Sequence, residues 1–193
     1  MKTKALLFVA IIFFGSCASL RELAAFSKCQ FRMDKLTNPN LAGVRIDNKR
    51  SLSDLNLIDA GKVTAAFLTG HLPLSFTLNV QAKNPNSTLA AINKLDWIAM
   101  LDDVQMASGT LNNRIEIAPN NGQTNIPITI SVDLKEILSG RSKDALTNLA
   151  FNLTDQNGQP TKVKLKVKPT LMFGSVPVNY PGYITLTKEF KAN

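Results

Sequence analysis

By type and spacing, the side chains to weigh first for covalent, acid–base or metal chemistry are Cys17, Cys29, His71 and the adjacent carboxylates Asp102 and Asp103. A Cys/His pair works as nucleophile and base only when a third group orients the imidazole, and no such group accompanies Cys29 and His71. A single histidine and two cysteines also fall short of a zinc set, which needs about four ligands at short spacings. Asp102 and Asp103 fall where a turn is expected. Neighbours on a strand would point to opposite faces, so this pair is not placed to share a catalytic proton. His71 reads as a solvated or satisfied imidazole just past a helix end, and Cys29 as a small buried hydrophobe. No Gly-rich phosphate loop is present. The expectation is a protein that is not an enzyme, with no catalytic residues, no cofactor and no metal.

Cys17 is different because of what precedes it. Met1-Lys2-Thr3-Lys4 is basic, Ala5 to Phe14 is an unbroken apolar run, and Gly15-Ser16 are small. A basic start, an apolar stretch of roughly 7–15 residues and small residues at the end are the marks of a secretory signal. The run is too short to span a bilayer, which takes about 20 apolar residues. Phe14-Gly15-Ser16-Cys17 resembles a bacterial lipobox, with Phe14 where Leu is usual. The resemblance implies cleavage before Cys17 and a diacylglycerol on its thiol; an ordinary signal cut near Ala18 is the alternative. Acyl chains contribute about 0.8 kcal/mol per buried CH₂, and two on one residue suffice for stable anchoring. The expected organisation is a signal peptide over 1–16, a lipidated tether or short helix over 17–29, and a single domain over 30–193.

Lys2 and Lys4 leave with the signal, and the remainder of the net charge of +8 is still basic. That balance favours anionic headgroups near an anchoring surface, or serves solubility. Nucleic acid is set aside, because an exported protein does not meet it and no aromatic-interleaved basic motif appears. Ala18-Ser19-Leu20-Arg21 has neither an Asp after the cysteine nor an acidic run. The expected place is therefore the bacterial cell envelope, at the outer membrane facing the periplasm, with a lipid or an envelope protein as partner.

These features must be carried by regular elements. Residues 19–28 place Leu20, Leu23, Ala24 and Phe26 or Ser27 on one side of a helix. A strand is expected over Gln30–Leu36, then a turn at Thr37-Asn38-Pro39-Asn40 and a short strand at Val44–Ile46. Ser51 or Ser53 caps a helix from about Asp54, with Leu55, Ile58, Val63 and Ala66 or Phe67 buried and Gly70 ending it. Leu74, Phe76, Leu78 and Val80 alternate with polar residues in a half-buried strand that stops at Asn84-Pro85-Asn86. Further strands are read at 92–101, with the only tryptophan, Trp97; at Val104–Gly109; at Ile115–Ile117; and at Ile126–Val132, where Pro127 argues for an edge or a bulge. A second helical region runs from Leu134 to about Leu153, with Ile137, Leu138, Leu146, Leu149 and Ala150 as its apolar side and Gly140 as a break or kink. Lys162, Lys164, Lys166 and Lys168 then alternate with Val163, Leu165 and Val167. The lysine face has three readings: a solvated sheet face, protection of an edge strand, or contact with anionic lipid. The fold class is mainly β, an antiparallel β-sandwich (immunoglobulin/fibronectin-like) of about 7–8 strands with two helices.

Leu78 to Asn86, followed by Leu95-Asp96-Trp97-Ile98-Ala99-Met100-Leu101-Asp102 and then Ala107-Ser108-Gly109, resembles the LEA type 2 (LEA14-like, water-stress and hypersensitive response) domain. The resemblance covers residues 72–133 best. It implies an antiparallel sandwich with a helix, and a class linked with stress and desiccation tolerance, some members of which are suspected of holding lipid. It brings no catalytic residues. Asn84, Pro85 and Asn86 explain themselves as structure, two asparagines bridging turn amides around a fixed proline. Two non-enzymatic roles stay open: a scaffold with a filled core, in stress protection or structural binding, or a lipid-handling module. In the second, Phe76, Leu78, Trp97, Ile128 and Ile130 would contact an acyl chain. An apolar strand face reads the same in either case.

Overall fold

The structure is a computed structural model, and it describes residues 20–101, 103–137, 139, 149–151 and 161–190. The signal segment, Cys17, Leu138, Gly140, Leu146 and Leu153 lie outside the described residues. In chain order the elements are α1 (20–26), β1 (Gln30–Leu41), β2 (Val44–Arg45), a 3₁₀ turn (Leu52–Asp54), α2 (Leu57–Leu68), β3 (Pro73–Asn84), β4 (Ala90–Ile92), β5 (Lys94–Leu101), β6 (Val104–Leu111), β7 (Ile115–Ile117), β8 (Gly122–Asp133), α3 (Leu134–Ile137), β9 (Thr161–Phe173), β10 (Val176–Asn179) and β11 (Ile184–Phe190). Residues 149–151 are also helical.

Two antiparallel sheets face each other. One has the order β2-β1-β3-β8. The other has β10-β9-β5-β6, with β11 beside β10 on the same edge of β9. The period-two patterns dictate which side is buried. Leu74, Phe76, Leu78, Val80 and Ala82 of β3 and Ile126, Ile128, Ile130 and Val132 of β8 point inward. They meet Leu95, Trp97, Ala99 and Leu101 of β5 and Val163, Leu165 and Val167 of β9 in one continuous core. A two-stranded ribbon, β4 with β7, adds Ala90, Ile92, Ile115 and Ile117 to that core. The fold is thus mainly β and antiparallel, as the alternation requires.

Several boundaries differ from the sequence expectation, each for a local reason. The turn expected at Thr37–Asn40 is inside β1. One extra residue is accommodated there, with Asn38 at φ 53°, and a second lies between Met33 and Leu36, so that β1 bends and keeps pairing with β3. The chain reverses instead at Ala42-Gly43, φ 51° and 81°, the signs that a two-residue hairpin turn demands. The strand expected over 92–101 is two strands, because the Asn93 amide donates to Thr170 O (2.8 Å) and breaks the run. The count rises to eleven strands among the described residues, since β4 is split from β5 and short pieces such as β2 and β10 each stand as a strand.

The helices shift in the same way. Ser51 and Asp54 form a capping box on the 3₁₀ turn, while Asn56 caps α2 by accepting from the Asp59 amide at 2.8 Å. Val63 is buried as expected, whereas Ile58, about 140° away around the helix, is 73% exposed, against expectation. Gly70, φ 94°, follows α2 in a full Schellman motif: its own amide donates to Phe67 O and that of His71 to Ala66 O. On α1 the buried residues are Ala25 and Phe26, while Leu20 and Ala24 are exposed. Of the long helix expected from Leu134, the described residues show α3 and 149–151, where Ala150 and Phe151 enter the core.

Trp97 and Gly109 are cross-strand partners on β5 and β6. A Cβ on Gly109 would lie 2.5 Å from Trp97 Cζ2, so the indole lies over a backbone that only glycine leaves bare. Gly109→Ala forces the ring off its seat in a packed interior, where overpacking costs about 1–3 kcal/mol. Urea unfolding should show a loss in that range, with most of it recovered when Trp97 is shortened to Leu in the same chain. A change under about 0.5 kcal/mol, typical of an ordinary surface site, would contradict this packing.

Candidate functional site at the Asn-Pro-Asn end

Asn84 is the last residue of β3 and continues its inward series, so the alternation buries an amide completely at one end of the core. Its Nδ2 donates to Thr88 O (2.8 Å) and Ile117 O (2.9 Å). Its Oδ1 accepts from the Asn86 amide (3.1 Å) and from Asn86 Nδ2 (2.8 Å). Two donors and two acceptor sites are all that an asparagine side chain has, and each is used. Pro85 carries no amide to satisfy and fixes the backbone between the two asparagines. The backbone joins in: Asn121 donates to Asn84 O (2.8 Å) and Asn120 to Asn86 O (2.7 Å).

The same motif holds α1. Asn86 Nδ2 donates to Ala25 O at 2.9 Å, satisfying a carbonyl in the last turn of that helix. Phe26 is buried, with its ring 5.5 Å from that of Phe31 and 5.7 Å from that of Tyr180. Arg114 reaches Glu22 at 3.2 Å and Glu116 at 2.9 Å. The helix is therefore clamped to the loops at this end by a polar contact, an aromatic cluster and an ion pair.

Cys29 and His71 lie at opposite ends of β3. Cys29 adjoins Gln30, which pairs with Lys83, whereas His71 precedes Pro73, which pairs with Asp133. Some ten strand residues at about 3.3 Å each separate them, so they form no catalytic pair. Burial pushes the Cys29 thiol up to about 11, and it is a thiol rather than a thiolate at neutral pH. His71 Nδ1 is 3.0 Å from Asp133 Oδ2. Asp133 Oδ1 accepts from the amides of Leu72 (2.9 Å) and Lys135 (3.0 Å), which ties the start of β3 to α3. Asp102 lies outside the described residues, and Asp103 (φ 67°) is in the turn between β5 and β6, paired with Lys164.

Phe76, Leu78, Trp97, Ile128 and Ile130 come together as expected, all within one core and none more than 8% exposed. The three pockets described for the chain are lined by other residues, with none of these five among them. Lys162, Lys164, Lys166 and Lys168 share the outer face of β9. That strand is interior, paired with β5 on one side and with β10 and β11 on the other. Edge protection is thereby corrected: the lysines stand beside Asp96, Ile98 and Met100 of β5, and Lys168 lies 5.9 Å from the Tyr183 ring.

The sequence reading gave no role to Asn79, which is buried on the opposite face of β3. Its Nδ2 donates to Lys35 O (3.0 Å) and Thr37 Oγ1 (2.9 Å), and its Oδ1 accepts from Asn125 (2.9 Å), so it pins the bent stretch of β1. The only signal in the sequence was an amide on the polar face of β3, between Thr77 and Gln81.

Replacing Asn84 by Asp puts a carboxylate against two carbonyl oxygens and strands both. The expected loss is about 3 kcal/mol at pH 7. Because the introduced carboxyl would have a raised pKa when folded, its deficit against the parent should shrink as pH falls from 7 to 5. Equal urea midpoints for the two proteins at pH 7 would refute the hydrogen-bonding account. Asp133 gives the opposite sign. Partial burial raises its carboxyl, but the amides of Leu72, Lys135 and Glu136 and the His71 ring together hold it below the usual range. It stabilises the fold above the unfolded value of about 3.9 and loses that effect as pH falls through its lower folded value. Asp133→Asn should therefore flatten the acid limb of the stability profile below about pH 4, and an unchanged limb would remove this assignment.

Comparison with known proteins places this end of the molecule in a wider set. A protein-family model described as late embryogenesis abundant protein matches residues 79–181, from the middle of β3 past β10. No curated protein matches the chain. Among solved structures, a crystal structure of a protein from Archaeoglobus fulgidus is 15% identical, with a TM-score of 0.38, over 63% of this chain and 86% of that one. A solution structure described as a late embryogenesis abundant (LEA) protein is 14% identical, with a TM-score of 0.39, over 98% of this chain and 83% of that one. A solution structure from Arabidopsis thaliana is 18% identical, with a TM-score of 0.40, over 61% and 70%. The matched stretch holds the Asn-Pro-Asn network, the Trp97–Gly109 contact and the lysine strand, and it spans more than half of the chain: this protein belongs to the LEA_2 family of late embryogenesis abundant proteins.

Proposed function

We propose that the protein is a non-catalytic lipoprotein of the bacterial cell envelope, held at the outer membrane through acylated Cys17, with a stress-protective or structural binding role. The supporting observation is the clamped helix α1. Its described residues start at 20, three positions past Cys17, and they are fastened to the domain by Asn86, Phe26 and Arg114. Three residues reach at most about 10 Å, so an acyl chain on Cys17 would hold the Asn-Pro-Asn end against the bilayer without a linker. A domain so held gains from a basic surface. Lys168 is at the α1 end of the lysine row, since Tyr180, which touches Phe26, donates its amide to Pro169 O (2.9 Å). Each Lys or Arg near an anionic surface contributes about 1 kcal/mol.

The lipid-handling alternative ranks lower. It requires Phe76, Leu78, Trp97, Ile128 and Ile130 to line a space, and they are buried against one another in a single core. A scaffold that meets its partners through its surface fits that interior better, and it fits a family known for stress protection rather than for a catalytic centre.

Intact-mass analysis of the protein purified from bacterial membranes tests the anchoring. The expected mature species starts at Cys17 and carries diacylglycerol mass, and Cys17→Ser releases the protein to the soluble fraction. A mature chain starting at Ala18 or beyond, or one without acyl mass, would overturn it. Native mass spectrometry of the same protein distinguishes the roles: an apo mass supports the scaffold, and stoichiometric lipid would replace it with lipid handling.

A further inference from the structure

The outer face that β3 and β8 present is neutral along most of its length, carrying Ser75, Thr77, Asn79, Thr129 and Ser131. At the α1 end it changes character. The register lines up Gln30, Lys83 and Gln123 in one cross-strand row and Arg32, Gln81 and Asn125 in the next. Gln30, Arg32, Gln81, Lys83 and Gln123, with Phe31 behind them, line an open pocket of about 420 Å³.

The charge of this pocket is unbalanced. Arg32 Nε donates to Gln81 Oε1 at 2.6 Å, which fixes the guanidinium and leaves its two terminal nitrogens without a hydrogen bond among the described residues. Lys83 has no ion-pair partner among the described residues, and no carboxylate lines the pocket. Arg45, Lys62, Lys94 and Arg114, by contrast, are each paired with Asp or Glu. Two uncompensated cations from adjacent strands, one of them a guanidinium with both terminal nitrogens available, suit a tetrahedral oxyanion with several acceptor atoms. The volume exceeds what a bare oxyanion fills. The three glutamine amides can both donate and accept, as hydroxyl groups require.

We propose that Gln30, Arg32, Gln81, Lys83 and Gln123 form a binding site for the phosphate ester of a small polyol. Arg32 and Lys83 take the phosphate, and the glutamines take the hydroxyls. The ester has two sources, a glycerophospholipid headgroup or a free polyol phosphate. The site stands on its own geometry and does not need Cys17 to be acylated. A headgroup source would agree with a domain held at a bilayer by α1, which Gln30 follows closely in the chain.

The test uses the full-length chain carrying Cys17→Ser, so that its outcome is independent of anchoring. Amide resonances are followed while glycerol, inorganic phosphate, glycerol 3-phosphate and dihexanoylphosphatidylglycerol, below its micellar concentration, are added in turn. The expected result is saturable shifts at Gln30, Gln81, Lys83 and Gln123, with glycerol 3-phosphate tighter than inorganic phosphate and glycerol inert. Arg32→Gln and Lys83→Gln should each weaken binding about tenfold, equivalent to about 1.4 kcal/mol. The double variant should abolish binding while keeping the parent's urea midpoint, and added salt should weaken it. Tighter binding of dihexanoylphosphatidylglycerol than of glycerol 3-phosphate supports the site with a headgroup source, and equal or weaker binding supports it with a free source. No saturable shift at these residues, equal shifts in the double variant, or equal shifts with glycerol alone would overturn the proposal.

Discussion

The four hydrogen bonds of the Asn84 side chain decide how one end of this sandwich is built. An amide at the foot of an apolar strand face is tolerable only when every donor and acceptor is met, since an unpaired buried polar group costs about 1–3 kcal/mol. Asn84 meets that condition by binding β7 through Ile117, the following loop through Thr88, and Asn86 through both a backbone and a side-chain nitrogen. Asn86 is thereby turned toward α1, and the helix can dock. The positions of α1 and of the β4-β7 ribbon trace back to this one side chain, and the backbone carbonyls of Asn84 and Asn86 hold the turn around Asn120-Asn121.

With that end fixed, the interior has little freedom. Period-two strands from both sheets meet over a core that includes Trp97 laid against the bare backbone of Gly109. Such contact leaves the outer surfaces to differ in chemistry, and they do. One sheet shows lysines among a few apolar and acidic side chains, and the other shows amides and hydroxyls along β3 and β8, with Lys83 beside α1.

Much of this was legible in the sequence because alternation is local. The faces of β3, β8 and β9, the glycine that follows α2 and the turn after Asn84 follow from neighbours within a few residues. What escaped depends on register between distant segments. The extra residues of β1 are invisible until β3 is laid beside it, so Thr37–Asn40 reads as a turn. Asn93 ends a strand because of Thr170, far along the chain. The lysine strand reads equally well as an edge until β5, β10 and β11 are placed. The row of Gln30, Lys83 and Gln123 has no sequence signature, since its members come together only across three strands. The five apolar residues weighed as a lipid surface share one buried cluster, and whether such an apolar face lines a space or fills it is a property of packing.

The interior place of β9 has a kinetic side. Leu101 pairs with Val163 and Lys94 with Thr170, so this strand joins its partner only after the intervening chain has been laid down. Pairings of such separation form slowly, and a strand awaiting its partner can add to another molecule. Val163, Leu165 and Val167 would be an inviting template in that interval. The four lysines between them act as gatekeepers of the unfinished chain, their mutual repulsion opposing the stacking of β9 on copies of itself. In the completed sheet they protect no edge, and their alternation with the core residues serves the fold most while that core is still open.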